Sequence, residues 1–216
     1  MSIIAPIVGT VIYTELKHIR MMSKSTLFWT SFFHNLALIY FSATMFYSLT
    51  KTIFWDYGIA FDHEFYLQHA DVQRLIWWVY ASKYYEYMDT ALIYASNKQP
   101  IFLQKFHHIG AVIVWHLAYM HQCDFIVYVS WLNCGVHSIM YSYYFATLFT
   151  KRIPLAVKKT ITTLQIAQLF IGVTVLPLVY YFTETKSCYN VLIIFVAYVT
   201  ALLHLFGHFM RQYFTA

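Results

Sequence analysis

Four stretches of this chain set ionisable and amide side chains into apolar sequence. The first is Ser82-Lys83-Tyr84-Tyr85-Glu86-Tyr87-Met88-Asp89-Thr90. A step of three residues turns a helix by about 300°, so Lys83, Glu86 and Asp89 share one sector about 120° wide. Lys83 and Glu86 can pair at i, i+3. A buried ion pair that merely locks a bundle accounts for those two charges and leaves Asp89 unexplained. The second stretch, Gln104-Lys105-Phe106-His107-His108, puts two imidazoles about 100° apart on a helix. They do not readily share a metal, so one more naturally braces the other. Gln104, one turn earlier, offers an amide that could fix an imidazole tautomer. The plainer reading is a core histidine satisfied by a backbone carbonyl. In the third stretch, Asn133 and His137 lie at i, i+4 on one face with Met140, Tyr141 and Tyr144. The fourth is the ladder Thr162, Gln165 and Gln168, which interhelical hydrogen bonding alone would explain equally well. His204 and His208 have metal-ligand spacing but no carboxylate or third ligand close in sequence, so a structural or interfacial role is expected.

These types suit acyl transfer. A neutral imidazole serves as nucleophile or general base, and a second one on a facing helix can carry the proton. A closed site excludes water and protects an acyl intermediate from hydrolysis. A lipid or an acyl-CoA is the substrate class that an apolar tunnel with a basic rim would accept. No metal or bound cofactor is expected.

The elements that hold these residues are apolar helices. Of 216 residues, 60% are hydrophobic and 11% charged, where a soluble domain carries about a quarter charged. That excludes a soluble globular protein, a disordered chain and a collagen-like fibre. Only 6 Gly and 4 Pro interrupt the chain. With roughly 20 residues per crossing, an all-α membrane protein of seven spans is expected. They lie at about 3–14 (short, clipped or re-entrant), 26–49, 72–96, 101–120, 124–149, 161–182 and 189–210. The gaps at 97–100, 121–123 and 183–188 are short enough to make neighbours antiparallel. Neither a repeat nor a linker divides residues 1–216, which read as one domain.

Net charge is +5, yet the basic residues sit in gaps rather than on a nucleic-acid-binding face. Lys17, Arg20, Lys24, Lys98, Lys151, Arg152, Lys158 and Lys159 all fall on one side, the cytosol by the positive-inside rule. Asp56, Asp62, Glu64, Asp71, Asp124 and the Glu184/Lys186 pair fall on the other. The C-terminus with Arg211 is expected in the cytosol. Residues 1–13 show no signal-peptide pattern. Three cysteines are too few for a disulfide framework and lack zinc spacing. Cys123 and Cys188 both fall in lumenal turns, which leaves a disulfide between them open. Counting helical rise, His107, His137, Glu86, Asp89, Tyr144, Gln165 and Gln168 converge from four spans at mid-depth or on the cytosolic side of it.

In order and placement, Lys83-x-x-Glu86-x-x-Asp89-Thr90, Gln104-x-x-His107-His108, Asn133-x-x-x-His137-x-x-Met140-Tyr141-x-Tyr143-Tyr144 and Thr162-x-x-Gln165-x-x-Gln168 resemble the ELO family of very-long-chain fatty acid elongases. The resemblance covers about residues 10–210. It implies seven helices, six of them an inverted barrel around an acyl tunnel, in the endoplasmic reticulum membrane. The implied reaction joins acyl-CoA and malonyl-CoA to give 3-ketoacyl-CoA, CoA and carbon dioxide. It further implies His107 as acyl-accepting nucleophile, His137 as proton-handling partner, and His108 with Gln104 orienting the pair. Lys83, Glu86, Asp89, Thr90, Asn133, Met140, Tyr141, Tyr144, Gln165 and Gln168 would complete the substrate chamber. Implied partners are the bilayer, the ketoacyl-CoA reductase, hydroxyacyl-CoA dehydratase and enoyl-CoA reductase of the cycle, and a second copy in a homodimer.

Three departures matter. Gln104 replaces the first His of the usual His-x-x-His-His box, as in similar elongases of polyunsaturated chains, and removes a metal ligand. The first span is short, and a lysine-rich retrieval tail is lacking. Two rivals stand beside this reading. A membrane di-iron desaturase or hydroxylase needs about eight histidine ligands. A seven-helix transporter would use helices broken by Gly or Pro.

Overall fold

A computed structural model describes residues 4–60, 65–181 and 186–214, and helices dominate it with no strand among the described residues. Asp62, Glu64 and Glu184 lie outside them. The helices are α1 (Ile4–Glu15), α2 (Lys24–Lys51), α3 (Ala70–Tyr85), α4 (Tyr87–Ala95), α5 (Phe102–Met120), α6 (Phe125–Thr147), α7 (Leu155–Tyr181) and α8 (Lys186–Phe214). At about 1.5 Å per residue, α1 is about 18 Å long, too short to cross a hydrocarbon core of about 30 Å. Ser23 caps α2, its hydroxyl accepting from Thr26 N at 3.1 Å, as N-cap serines do.

The third expected span is not one helix. It breaks at Glu86, where Asp89 N bonds back to Glu86 O at 3.1 Å in a tightened turn. Lys83 and Glu86 face Asn133 and His137 of α6, and Asp89 reaches both His34 of α2 and Tyr141 of α6. Lys158, read as a loop residue, sits one turn inside α7, which starts earlier than its apolar run.

By length and composition, one helical stretch among the described residues passes as a membrane span: Cys188–Phe214, mean hydropathy 2.1. The other helices fall short of that length or hydropathy among the described residues, α3 and α4 by length. α2 packs most closely on α6, where a Cβ on Gly135 would stand 2.9 Å from Phe46 Cε2. α5 and α7 both lie against α8. At one end, a disulfide joins Cys123 to Cys188 with Cα atoms 5.4 Å apart. There Asp124 accepts from Tyr66 N and Leu67 N at 2.6 and 2.9 Å and ties down the 65–69 turn. The main core runs from this end to Trp115 and Val199.

Candidate active site

The break at Glu86 lets the buried Lys83 and Glu86 meet α6. Lys83 Nζ donates to Glu86 Oε1 at 2.8 Å and to Asn133 Oδ1 at 2.6 Å. The Asn133 oxygen being occupied, its Nδ2 faces His137 Nε2 at 3.1 Å. His137 Nδ1 lies 3.6 Å from Glu86 Oε1 and closes the ring. Lys83 also sits over the Trp115 ring at 4.9 Å. Both charges and the imidazole are buried. Inside a protein such groups persist only when every partner is in place, so each member fixes the others.

His107, on α5, faces this ring. Its imidazole centroid is 6.5 Å from that of His137 and 5.5 Å from that of His108. Glu86, His107 and His137 each offer one ligand atom within 4.8 Å of the others, a spacing a metal could use. The Lys83 ammonium competes for the same Glu86 oxygen, which weakens that site electrostatically. His108 turns the other way, against Tyr13 and Tyr87, its ring 6.2 and 6.3 Å from theirs.

Asp89 belongs to a second network. It receives His34 Nε2 at 2.8 Å and the Tyr141 hydroxyl at 2.7 Å. Thr90 pairs with the Tyr13 hydroxyl at 3.0 Å and accepts from Gln104 Nε2 at 3.4 Å. The amide of Gln104, expected to address an imidazole, bonds Thr90 of α4. The group on His107 Nδ1 is Tyr198 of α8, 3.2 Å away, whose hydroxyl donates to His107 O at 2.9 Å. Gln165 donates to Met140 Sδ at 3.2 Å, and Gln168 Oε1 is buried without a partner. Tyr144 lines the site while 40% exposed. His204 and His208 are exposed on the outer side of α8.

All the expected site residues except Lys83, Thr90 and Asn133 line one cavity of about 460 Å³. A smaller one of about 50 Å³ shares His107, Gln168 and Leu169 with it, and is otherwise bounded mainly by Trp115, Leu132, Gly172 and Phe195. From the antiparallel run of the helices, the large chamber opens at the Lys158 end and the small apolar one points toward the disulfide. Lys158 stands over the rings of Phe209, Tyr213 and Phe214 at 5.4–5.8 Å.

Sequence reasoning missed His34, Asn35 and Tyr198. The first two form a polar pair inside the apolar run of α2, a signal that was present. Tyr198 is one of 20 tyrosines and carries no local signal at all.

The described residues form a helical, largely apolar bundle in which two imidazoles face a buried ion pair at the wall of a cavity. The GNS1/SUR4 (ELO) family model matches residues 2–216, and the chain belongs to that family. Among curated proteins it is similar to human very long chain fatty acid elongase 3, with 29% identity over 151 residues, 68% of this chain and 56% of that protein. It is also similar to long chain fatty acid elongase 1 of Caenorhabditis elegans, 36% identical over 101 residues, 47% of this chain and 35% of that protein. Fatty acid elongase A of Dictyostelium discoideum is 32% identical over 166 residues, 73% of this chain and 58% of that protein. The chain thus spans less than two thirds of the length of these relatives.

Proposed function

We propose that this chain is a membrane condensing enzyme of fatty acid elongation, a 3-oxoacyl-CoA synthase acting as one domain over residues 1–216. The observation that carries the reading is the 6.5 Å approach of the His107 and His137 rings where the large chamber meets the small apolar pocket. Membership of the ELO family supports it.

In this reading an acyl-CoA places its tail in the narrow pocket and its thioester beside His107. The imidazole attacks the carbonyl, the C–S bond breaks, and CoA leaves as the thiol with a proton relayed by His137. Malonyl-CoA then binds. Its C–C bond breaks, carbon dioxide departs, and the electron pair stays as an enolate that attacks the acyl-imidazole. The C–N bond breaks and His107 leaves as the neutral imidazole, while a proton from solvent reloads His137, so each turnover consumes one. Lys83 and Asn133, behind the chamber wall, hold Glu86 and His137 in the orientation that proton transfer to the departing thiolate needs. In this reading no metal or bound cofactor takes part.

The fold reading is seven helical segments crossing or entering the bilayer, counting α3 and α4 as one, six of them enclosing the acyl tunnel. The C-terminus faces the cytosol in the endoplasmic reticulum. Partners are the reductases and dehydratase of the same cycle and a second copy of the chain. Gln104 inclines the substrate to polyunsaturated acyl-CoA. A transporter is disfavoured because the break at Glu86 is one tightened turn, with no unwound backbone for an ion to meet.

Purified protein given malonyl-CoA labelled at its free carboxylate and a panel of acyl-CoAs should release labelled carbon dioxide and 3-ketoacyl-CoA. His107→Ala should lose both while remaining folded; retained activity refutes the nucleophile assignment.

A further inference from the structure

We infer that Tyr198 is the positioning residue that selects which nitrogen of His107 reacts, and that Gly110 is the gap that admits it. A phenol has a single proton to give. The backbone carbonyl of His107 can only accept, and it lies 2.9 Å from the Tyr198 oxygen. The proton goes there, so the oxygen presents a lone pair to His107 Nδ1, 3.2 Å away. Nδ1 therefore carries the hydrogen of the neutral imidazole. Nε2 is left with its lone pair, the form a nucleophile needs.

Two further features hold this arrangement. A Cβ on Gly110, one turn after His107 on α5, would run into the Tyr198 ring. No residue with a side chain fits there unless the phenol moves away. On the other side, the Tyr198 ring packs against Phe106 at a centroid distance of 5.7 Å. The phenol is thus wedged between the neighbours of the histidine it addresses, and it bonds both the backbone and the ring of that residue. A side chain needed only for packing would gain nothing from this double contact.

The inference rests on His107 being the acyl acceptor and adds the atom that attacks, Nε2. As acylation proceeds, positive charge grows on the ring, and the Tyr198 lone pair at Nδ1–H meets more charge in the transition state than in the ground state. Its contribution should appear in kcat rather than KM.

The test uses the full chain in detergent micelles with the acyl-CoA it turns over fastest among a saturated and polyunsaturated panel. The rate of acyl-enzyme formation without malonyl-CoA is read by intact mass, and kcat and KM by carbon dioxide release. Tyr198→Phe keeps the ring and removes the oxygen. It should slow acylation and kcat about ten- to a hundredfold, with KM within about twofold. Gly110→Ala should slow both comparably by displacing the phenol, and the double variant should be no slower than the worse single one, because both act through one contact. Acylation by Tyr198→Phe at the parent rate overturns the inference, as does a double variant whose losses multiply. Thermal unfolding of each variant separates a fold defect from this role, and Tyr198→Phe decides alone if Gly110→Ala does not fold. His107→Ala is run alongside. If it stays active, the acyl-imidazole reading falls; if it is dead while Tyr198→Phe is normal, only the present inference falls.

Discussion

His34 Nε2 stands 2.8 Å from Asp89 Oδ1, joining α2 to α4 at the wall of the large cavity. The other carboxylate oxygen takes the Tyr141 hydroxyl of α6, so one acidic group fastens three helices. His34 is nearly enclosed at 3% exposure, and its Nδ1 has no partner. A carboxylate oxygen only accepts, so Nε2 carries the hydrogen of this bond and the buried Nδ1 keeps its lone pair.

Asp89→Asn should therefore cost more than its change in shape suggests. The amide has one acceptor where the carboxylate had two, and it leaves either His34 or Tyr141 unsatisfied. Hydrogen bonds to a charged group are worth about 1.5–3 kcal/mol, so turnover should fall about ten- to a hundredfold. His34→Ala should give a loss of similar size. Malonyl-CoA-dependent carbon dioxide release measures both. Parent-like rates in both variants would reduce the dyad to scaffolding.

The ring of Lys83, Glu86, Asn133 and His137 predicts a sharper stability effect. Lys83→Met removes the cation and strands a buried Glu86, which typically destabilises by about 3–5 kcal/mol. Adding Glu86→Gln removes the stranded charge and should recover part of that loss. Thermal unfolding in detergent reads the difference. A double variant no more stable than Lys83→Met would mean that the two charges do not compensate each other.

The helices were legible because an apolar run of about 20 residues bounded by charged gaps has few other fates. All eight helices start and end near the expected limits, apart from the division at Glu86 and the early start of α7. The division was invisible because neither Gly nor Pro marks it. A helix that satisfies its backbone through one i, i+3 bond needs no special residue there. The pairing of Lys83 with Glu86 followed from spacing, but the partner of Asp89 did not. Which helix a side chain faces depends on rotation set by packing, and α2 and α4 are far apart in sequence. Tyr198 rather than Gln104 stands at His107 Nδ1 for the same reason. Local spacing favoured the amide, while α8 delivered the phenol from 91 residues away.

The disulfide between Cys123 and Cys188 closes a loop of sequence separation 65 and ties the start of α6 to that of α8. Loop-closure entropy puts its worth at up to about 4 kcal/mol. Cys123→Ser and Cys188→Ser should each lower the unfolding temperature, and the double variant by no more than either alone. Activity should largely survive, because the cysteines do not line the chamber holding His107 and His137. Faster migration of the non-reduced chain, abolished by either substitution, checks the bond itself.

Product length should be set where the small pocket ends. Gly172 of α7 stands opposite Phe195 of α8, and a Cβ there would meet Phe195 Cζ at 3.7 Å, an ordinary contact. Gly172→Ala should therefore be tolerated with little change in stability. Gly172→Leu has nowhere to go except into a cavity of about 50 Å³, the space an acyl terminus would need in the proposed reaction. Chromatography of the products should show a shift to shorter chains for Gly172→Leu. The carbon dioxide yield on the shortest acyl-CoA accepted should change less than that on the longest. An unchanged product distribution would show that the tail takes another path. The large chamber would then have to hold it, with the small pocket serving only as packing space behind His107.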